Sequence, residues 1–176
     1  MKKTIIMALL AISMAFTASA QVNAVGIPFG IGKSKAVELL NYKYGAYDYY
    51  TSDLIMYEGF RLDGVSYEFA NFHFKDMVFT EATFSMPKHK EPEKASSDAK
   101  NIADALQTLY TVVNLAEYGE AQKYTTGNTT IATLYRAIPN GTPVVNGEAK
   151  PQYYVTIIAF ADPEGVKIVT RYSQTM

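Results

Sequence analysis

A chain of 176 residues without cysteine has no disulfide scaffold, cysteine-ligated zinc, iron–sulfur cluster, thioether-bound haem or cysteine nucleophile available to it. Its 16 basic and 17 acidic residues give a formal net charge of −1, which excludes the basic footprint that binding to nucleic acid requires. A packed core has to hold the fold unaided, and a chain of this size buries roughly 70% of the surface it exposes when unfolded.

The chain opens with Lys2 and Lys3, an apolar run from Ile5 to Phe16, and the small residues Ala18-Ser19-Ala20 before Gln21. That order is the pattern of a cleaved bacterial export signal. Residues 1–20 are therefore expected to be removed near Ala20, which makes the mature protein periplasmic or secreted. The uncharged run falls short of the ~20 apolar residues of a membrane-spanning helix, and no later segment is apolar for long enough, so no membrane span is expected in the mature chain.

Beyond the leader, two halves are expected, residues 21–90 and 91–176. The stretch Pro87-Lys88-His89-Lys90-Glu91-Pro92-Glu93-Lys94 divides them, because it lacks apolar periodicity and carries two prolines. In the first half, Ser34 is a candidate N-cap for a short helix with the stripe Val37, Leu40 and Tyr44, and Gly45 ends it. Strands follow at about 53–61, 65–75 and 77–86, with hairpin signals at Asp63-Gly64 and Lys75-Asp76. In the second half, Ser96 or Ser97 is expected to cap a longer helix running to near Gly119, although the β-branched run Thr111-Val112-Val113 weakens its last turns. Strands then read at about 129–138, 151–161 and 165–173, with Asp162-Pro163-Glu164-Gly165 as the last turn.

The fold class that follows is α+β: tandem αβββ repeats, each a helix packed on an antiparallel sheet. The spacing of Tyr67-Glu68-Phe69 to Phe79–Phe84 parallels that of Tyr154-Val155-Thr156 to Ile168–Tyr172. A single mixed α+β domain without true repeats is the alternative.

This element order, repeated once in a small tyrosine-rich exported chain, resembles the duplicated fold of the β-lactamase-inhibitor-protein-like families. The opening Gly26-Ile27-Pro28-Phe29-Gly30, followed by a helix ending in Tyr44-Gly45, resembles small exported bacterial proteins with that fold. The resemblance implies a binding role without naming a target, and none of that family's disulfides or binding residues carries over.

Signatures of chemistry are sparse. His73 sits in a predicted strand with Asp76 and Glu81 across the hairpin, but no paired ligand set or His-Glu-x-x-His spacing accompanies it, and a solvated or singly hydrogen-bonded strand histidine is the plainer reading. His89 is expected on the solvated surface of the linker. No Gly-x-Ser-x-Gly elbow occurs. Gly32-Lys33-Ser34 lacks the first glycine of a phosphate loop, since Ile27 stands in its place. No metal or cofactor is expected.

What the chain has in excess is aromatic surface, with 14 Tyr and 9 Phe. Tyrosine offers rigid amphipathic contact area. Tyr47, Tyr49 and Tyr50, after the first helix, form one candidate platform. Strand alternation places Tyr67, Phe69 and His73 on a face opposite Phe72 and Phe74, with Phe79 as a further member, and one helix covers only one face. Strand 153–160 is likewise apolar on both sides. The other repeat, a homodimer partner or a ligand has to cover the second face.

The reading that follows is an exported non-enzymatic binding module whose aromatic sheet face and loops, centred on Tyr47, Tyr49, Tyr50, Tyr67, Phe69 and His73, engage a protein or glycan partner. Two alternatives stay open: a periplasmic hydrolase with its site hidden from sequence, and a structural homo-oligomer built through the same face.

Overall fold

A computed structural model describes residues 23–117 and 119–174. The expected export signal lies outside the described residues. Helix α1 is Lys33–Tyr44, close to its expected span. Its N-cap is Gly32 rather than Ser34, with no side-chain cap bond; the Gly32 carbonyl accepts the first helical N–H groups, from Lys35 and Ala36. Ser34 falls inside the first turn instead. The helix buries the small Ala36 and the Leu40 side chain.

Strands β1 (Tyr49–Tyr50), β2 (Leu54–Glu58), β3 (Phe69–Lys75) and β4 (Val78–Ser85) follow. The expected strand 65–75 is shorter at its start, because Val65–Ser66 pairs with Arg61–Leu62 in a small hairpin of its own. Helix α2 is Pro92–Leu106, with Pro92 in its first turn and Glu91 as N-cap. It therefore starts before Ser96 and Ser97 and ends well short of Gly119. Proline suits that position because its fixed φ matches the helix and its missing N–H would have no partner there. The β-branched run after the helix becomes strand β5 (Tyr110–Asn114), where branched side chains fit a pleated surface. Strands β6 (Lys123–Thr126), β7 (Thr129–Pro139), β8 (Tyr153–Asp162) and β9 (Gly165–Gln174) complete the chain.

The protein is mixed α+β, and its strands from both halves join one antiparallel sheet in the order β6-β7-β8-β9-β4-β3-β2-β1, with β5 also paired to β7. The junction between the halves is the β9–β4 ladder, in which Tyr172 faces Ala82. One row of cross-strand neighbours runs Ile55, Phe72, Ala82, Tyr172, Val155, Ala137, and every member is buried. The alternate residues point to the other side, as a period of two demands.

The core is aromatic. Phe84 meets Phe72 edge-on at 6.0 Å and Tyr172 at 5.6 Å between centroids, and Phe72 meets Tyr57 at 5.9 Å. Edge-to-face geometry aligns positive ring edges with negative faces and adds about 0.5–1.5 kcal/mol per pair to what burial supplies. Phe29, ahead of α1, stacks on Phe79 at 5.1 Å and touches Tyr153 at 5.7 Å, so the segment before the first helix bridges both halves. Phe79 is thus a core residue, not a member of the outward aromatic face.

Both helices lie on this inward side. Ile102 and Leu106 of α2 share a pocket with Tyr67 and Tyr172. Tyr44 of α1 contacts Tyr57 and Phe60. The dividing segment is also tied down. His89 exchanges backbone hydrogen bonds with Val166, and its Nε2 lies 2.7 Å from Asp98 Oδ2 on α2. His89 is therefore largely enclosed and not the solvated residue its charged surroundings imply.

Candidate functional site

Among the described residues, the opposite side of the sheet carries no helix. One outward row runs Tyr49, Met56, Asn71, Thr83, Arg171, Thr156, Arg136 across seven strands. The next row holds Leu54, His73, Glu81, Ser173 and Tyr154. None of the residues in these two rows is fully buried.

The six aromatic and histidine candidates divide between the two sides. Tyr49, Phe69 and His73 belong to the outward face. Tyr67 does not: it is 5% exposed and packs on Phe84 at 5.4 Å, so it is core. The N–H of Glu68 bonds to the Ser85 carbonyl, while Phe69 is itself the register partner of Ser85. That extra residue breaks the alternation and turns Tyr67 inward.

Tyr50 faces the other way from Tyr49. Its ring lies over the Lys33 ammonium at 3.9 Å, and Tyr47 stacks on it at 5.2 Å. Lys33 is 2% exposed; its Nζ donates to the Thr51 carbonyl and lies 5.4 Å from the Phe74 ring centroid. Tyr47 and Tyr50 are therefore parts of a lid over a buried cation. Cation–π attraction strengthens with such desolvation.

His73 is held by Thr83, with Nε2 3.3 Å from the hydroxyl oxygen. Burial lowers its pKa below 6.5; the Arg171 charge acts in the same direction, and Glu81 opposes both. Glu81, the residue opposite His73, is engaged elsewhere: Arg171 donates to it through Nε at 2.7 Å and Nη2 at 2.5 Å. A carboxylate clamped in this way is a poor general base. No group of three or more His, Asp or Glu side chains among the described residues is placed to hold a metal ion.

A depression of about 330 Å³ opens on this face between β7 and β9. Thr156 and Ile158 of β8 lie at its centre, with Arg136 and Thr133 on one side and Arg171 and Ser173 on the other. Leu115 and Gln122, from the connection between β5 and β6, complete the lining along with Tyr154.

That connection is raised over the sheet where β7 carries an extra residue. The register with β8 shifts between Thr133 and Tyr135, and the freed Leu134 carbonyl accepts the N–H of Leu115. Leu115 and Ile158, at 2% and 9% exposure, form a small apolar patch separate from the main core.

Arg136 stacks near the Tyr154 ring, 5.6 Å from its centroid. Neither arginine belongs to the aromatic pattern that composition brings forward. The signal is nonetheless present in alternation: Tyr135-Arg136-Ala137 and Thr170-Arg171-Tyr172 each set an arginine between inward residues.

No helix among the described residues is long and apolar enough to cross a membrane. No protein-family model, curated protein or solved structure matches the chain.

Proposed function

We propose that the protein is an exported, non-enzymatic binding module that holds its ligand on the uncovered face of the sheet. The observation that carries this reading is the one-sided placement of the helices. Both cover the inward rows, while the outward rows present Tyr49, Phe69, His73, Tyr154, Arg136 and Arg171 with no helix over them among the described residues, and only the β5–β6 connection rises over one end. A mixed aromatic and polar face with arginines is the composition that recognition surfaces favour. The commitment of Glu81 to Arg171 argues against acid–base chemistry at His73, which supports binding over hydrolysis.

The chain order supports a duplication, as the inhibitor-like resemblance implies. A helix and a three-stranded meander occur twice, β2-β3-β4 and β7-β8-β9, and the last strand of each pairs with the other at the sheet centre. In this reading the two repeats build one continuous face, so a ligand spans both.

The test is to titrate ¹⁵N-labelled protein with the protein and polysaccharide fractions of a bacterial envelope extract. Resonance changes clustered at Met56, His73, Thr83, Thr156 and Arg171 are the expected result. Changes confined to the helical side, or none from either fraction, would overturn the proposal. So would a dimer in light scattering that Tyr154→Ser dissociates without unfolding, since the face would then serve self-association.

A further inference from the structure

We infer that the depression between β7 and β9 takes the carboxylate and neighbouring hydroxyls of an acidic sugar of the uronic-acid type. This rests on the binding-module reading and names its ligand class.

The charge arrangement is the first ground. Arg136 and Arg171 flank Thr156 in one row, each one strand away from it, so their backbones stand about 10 Å apart. Arg136 leans on the Tyr154 ring of β8, while the Arg171 guanidinium is bonded to Glu81 on β4 and lines the opposite edge of the depression. Arg171 spends two of its five N–H donors on Glu81 and is oriented by them. Arg136 has no carboxylate within 4.0 Å among the described residues and is steadied by the Tyr154 ring. Among the described residues no acidic side chain lines the depression, and its two arginines are offset only by Glu81 beside Arg171. One uncompensated positive charge, presented as a planar fork, matches the single charge and planar geometry of a carboxylate. A phosphate dianion would be left half-neutralised.

The uncharged lining is the second ground. Gln122, Thr133, Thr156 and Ser173 supply amide and hydroxyl groups that both donate and accept, while Leu115 and Ile158 offer a small apolar patch. Sugars present this combination, with hydroxyls around the ring edge and C–H groups on its face. An aspartate or glutamate side chain would engage the arginines but leave four neutral polar groups without partners. The volume lies at the lower end of ligand sites and suits one ring, with the chain continuing along the open face.

The experiment follows ¹⁵N-labelled protein titrated with D-glucuronate and a short oligoglucuronate, beside D-glucose, inorganic phosphate and a glutamate-rich peptide. The expected result is saturable shifts at Gln122, Arg136, Thr156, Arg171 and Ser173 with both uronates and none with glucose. Arg136→Gln should weaken oligoglucuronate binding about tenfold or more, with Arg136→Lys recovering only part of the loss because it keeps charge without the fork. Thr133→Val, which keeps shape and charge, should weaken the sugar but leave any peptide binding unchanged.

Equal binding of glucose, or unchanged uronate affinity in Arg136→Gln, would overturn the inference. Binding of peptide or phosphate at these residues without binding of uronate would overturn the sugar assignment and leave the recognition face standing. If the envelope fractions also leave the face unmoved, the parent reading falls with it.

Discussion

Tyr67 and Phe69 are two residues apart in the chain yet belong to opposite sides of the sheet. Tyr67 is enclosed between Phe84 and helix α2, whereas Phe69 faces outward with the Lys167 ammonium 5.4 Å from its ring centroid. The same substitution should therefore have different costs at the two sites. Tyr67→Ser removes a buried ring and leaves a cavity, which should cost about 3–5 kcal/mol. Phe69→Ser loses a half-exposed ring and should cost about 1 kcal/mol. Urea unfolding followed by circular dichroism measures both, and equal losses would contradict the assignment of Tyr67 to the core.

Tyr50 is 47% exposed, but its ring is the roof over Lys33. Tyr50→Ala should expose that ammonium, remove the stack on Tyr47 and destabilise the protein by about 1–2 kcal/mol. For a chain of this size the melting temperature then falls by roughly 2–8 °C. Tyr49→Ala, on the outward side of the same strand, should leave the melting temperature nearly unchanged. A reversed order of the two effects would make Tyr50 a surface residue and Tyr49 the structural one.

His73 gives stability a pH dependence of defined sign. Burial, aided by Arg171, holds its pKa below the ordinary 6.5, so the unfolded chain binds the proton more readily than the native one. Stability is complete above the unfolded pKa and declines as pH falls from 6.5 towards the lower native value, below which the loss is constant. The difference in unfolding free energy between wild type and His73→Gln should therefore move against wild type across that window. The checking measurement is urea midpoints of both proteins through mildly acidic pH; parallel curves would place His73 in a solvent-like setting.

Much of the fold is legible from local pattern. The apolar content around Ile55-Met56-Tyr57, Phe72-His73-Phe74 and Val155-Thr156-Ile157 reads as strands, and Asp63-Gly64 marks the hairpin that the structure contains. The errors come from features that alternation does not encode. An extra residue at Glu68 reverses the side of Tyr67. Pro92 starts α2 earlier than Ser96, and pairing to β7 draws Thr111-Val112-Val113 out of the helix into a strand. His89 is placed by long-range pairing with Val166 and Asp98, which its charged neighbours do not reveal. The depression around Thr156 was hidden for a different reason. It requires three strands in register, and composition draws attention to tyrosines rather than to two arginines more than thirty positions apart.

The pairing at His89 makes the most specific prediction about the join between the halves. His89 and Val166 bond through both backbone groups, at 2.9 and 2.8 Å, next to Gly165. Gly165 has φ +144°, and a Cβ built there would lie 2.3 Å from the His89 carbonyl oxygen. Gly165→Ala must therefore either break the His89–Val166 pair or shift the β8–β9 turn, in addition to straining its own backbone. Gly64 provides the control: its φ is +83°, but nothing lies within 4 Å of its virtual Cβ, so Gly64→Ala pays only the conformational cost of about 1 kcal/mol. Gly165→Ala should lose about 2–3 kcal/mol. Hydrogen exchange should locate the extra loss, with the Val166 and His89 amides of Gly165→Ala exchanging faster while those of the β3–β4 ladder keep their protection relative to global stability. If the two alanine variants are equally stable and the His89 amide stays protected in both, the segment before α2 is not held by this contact.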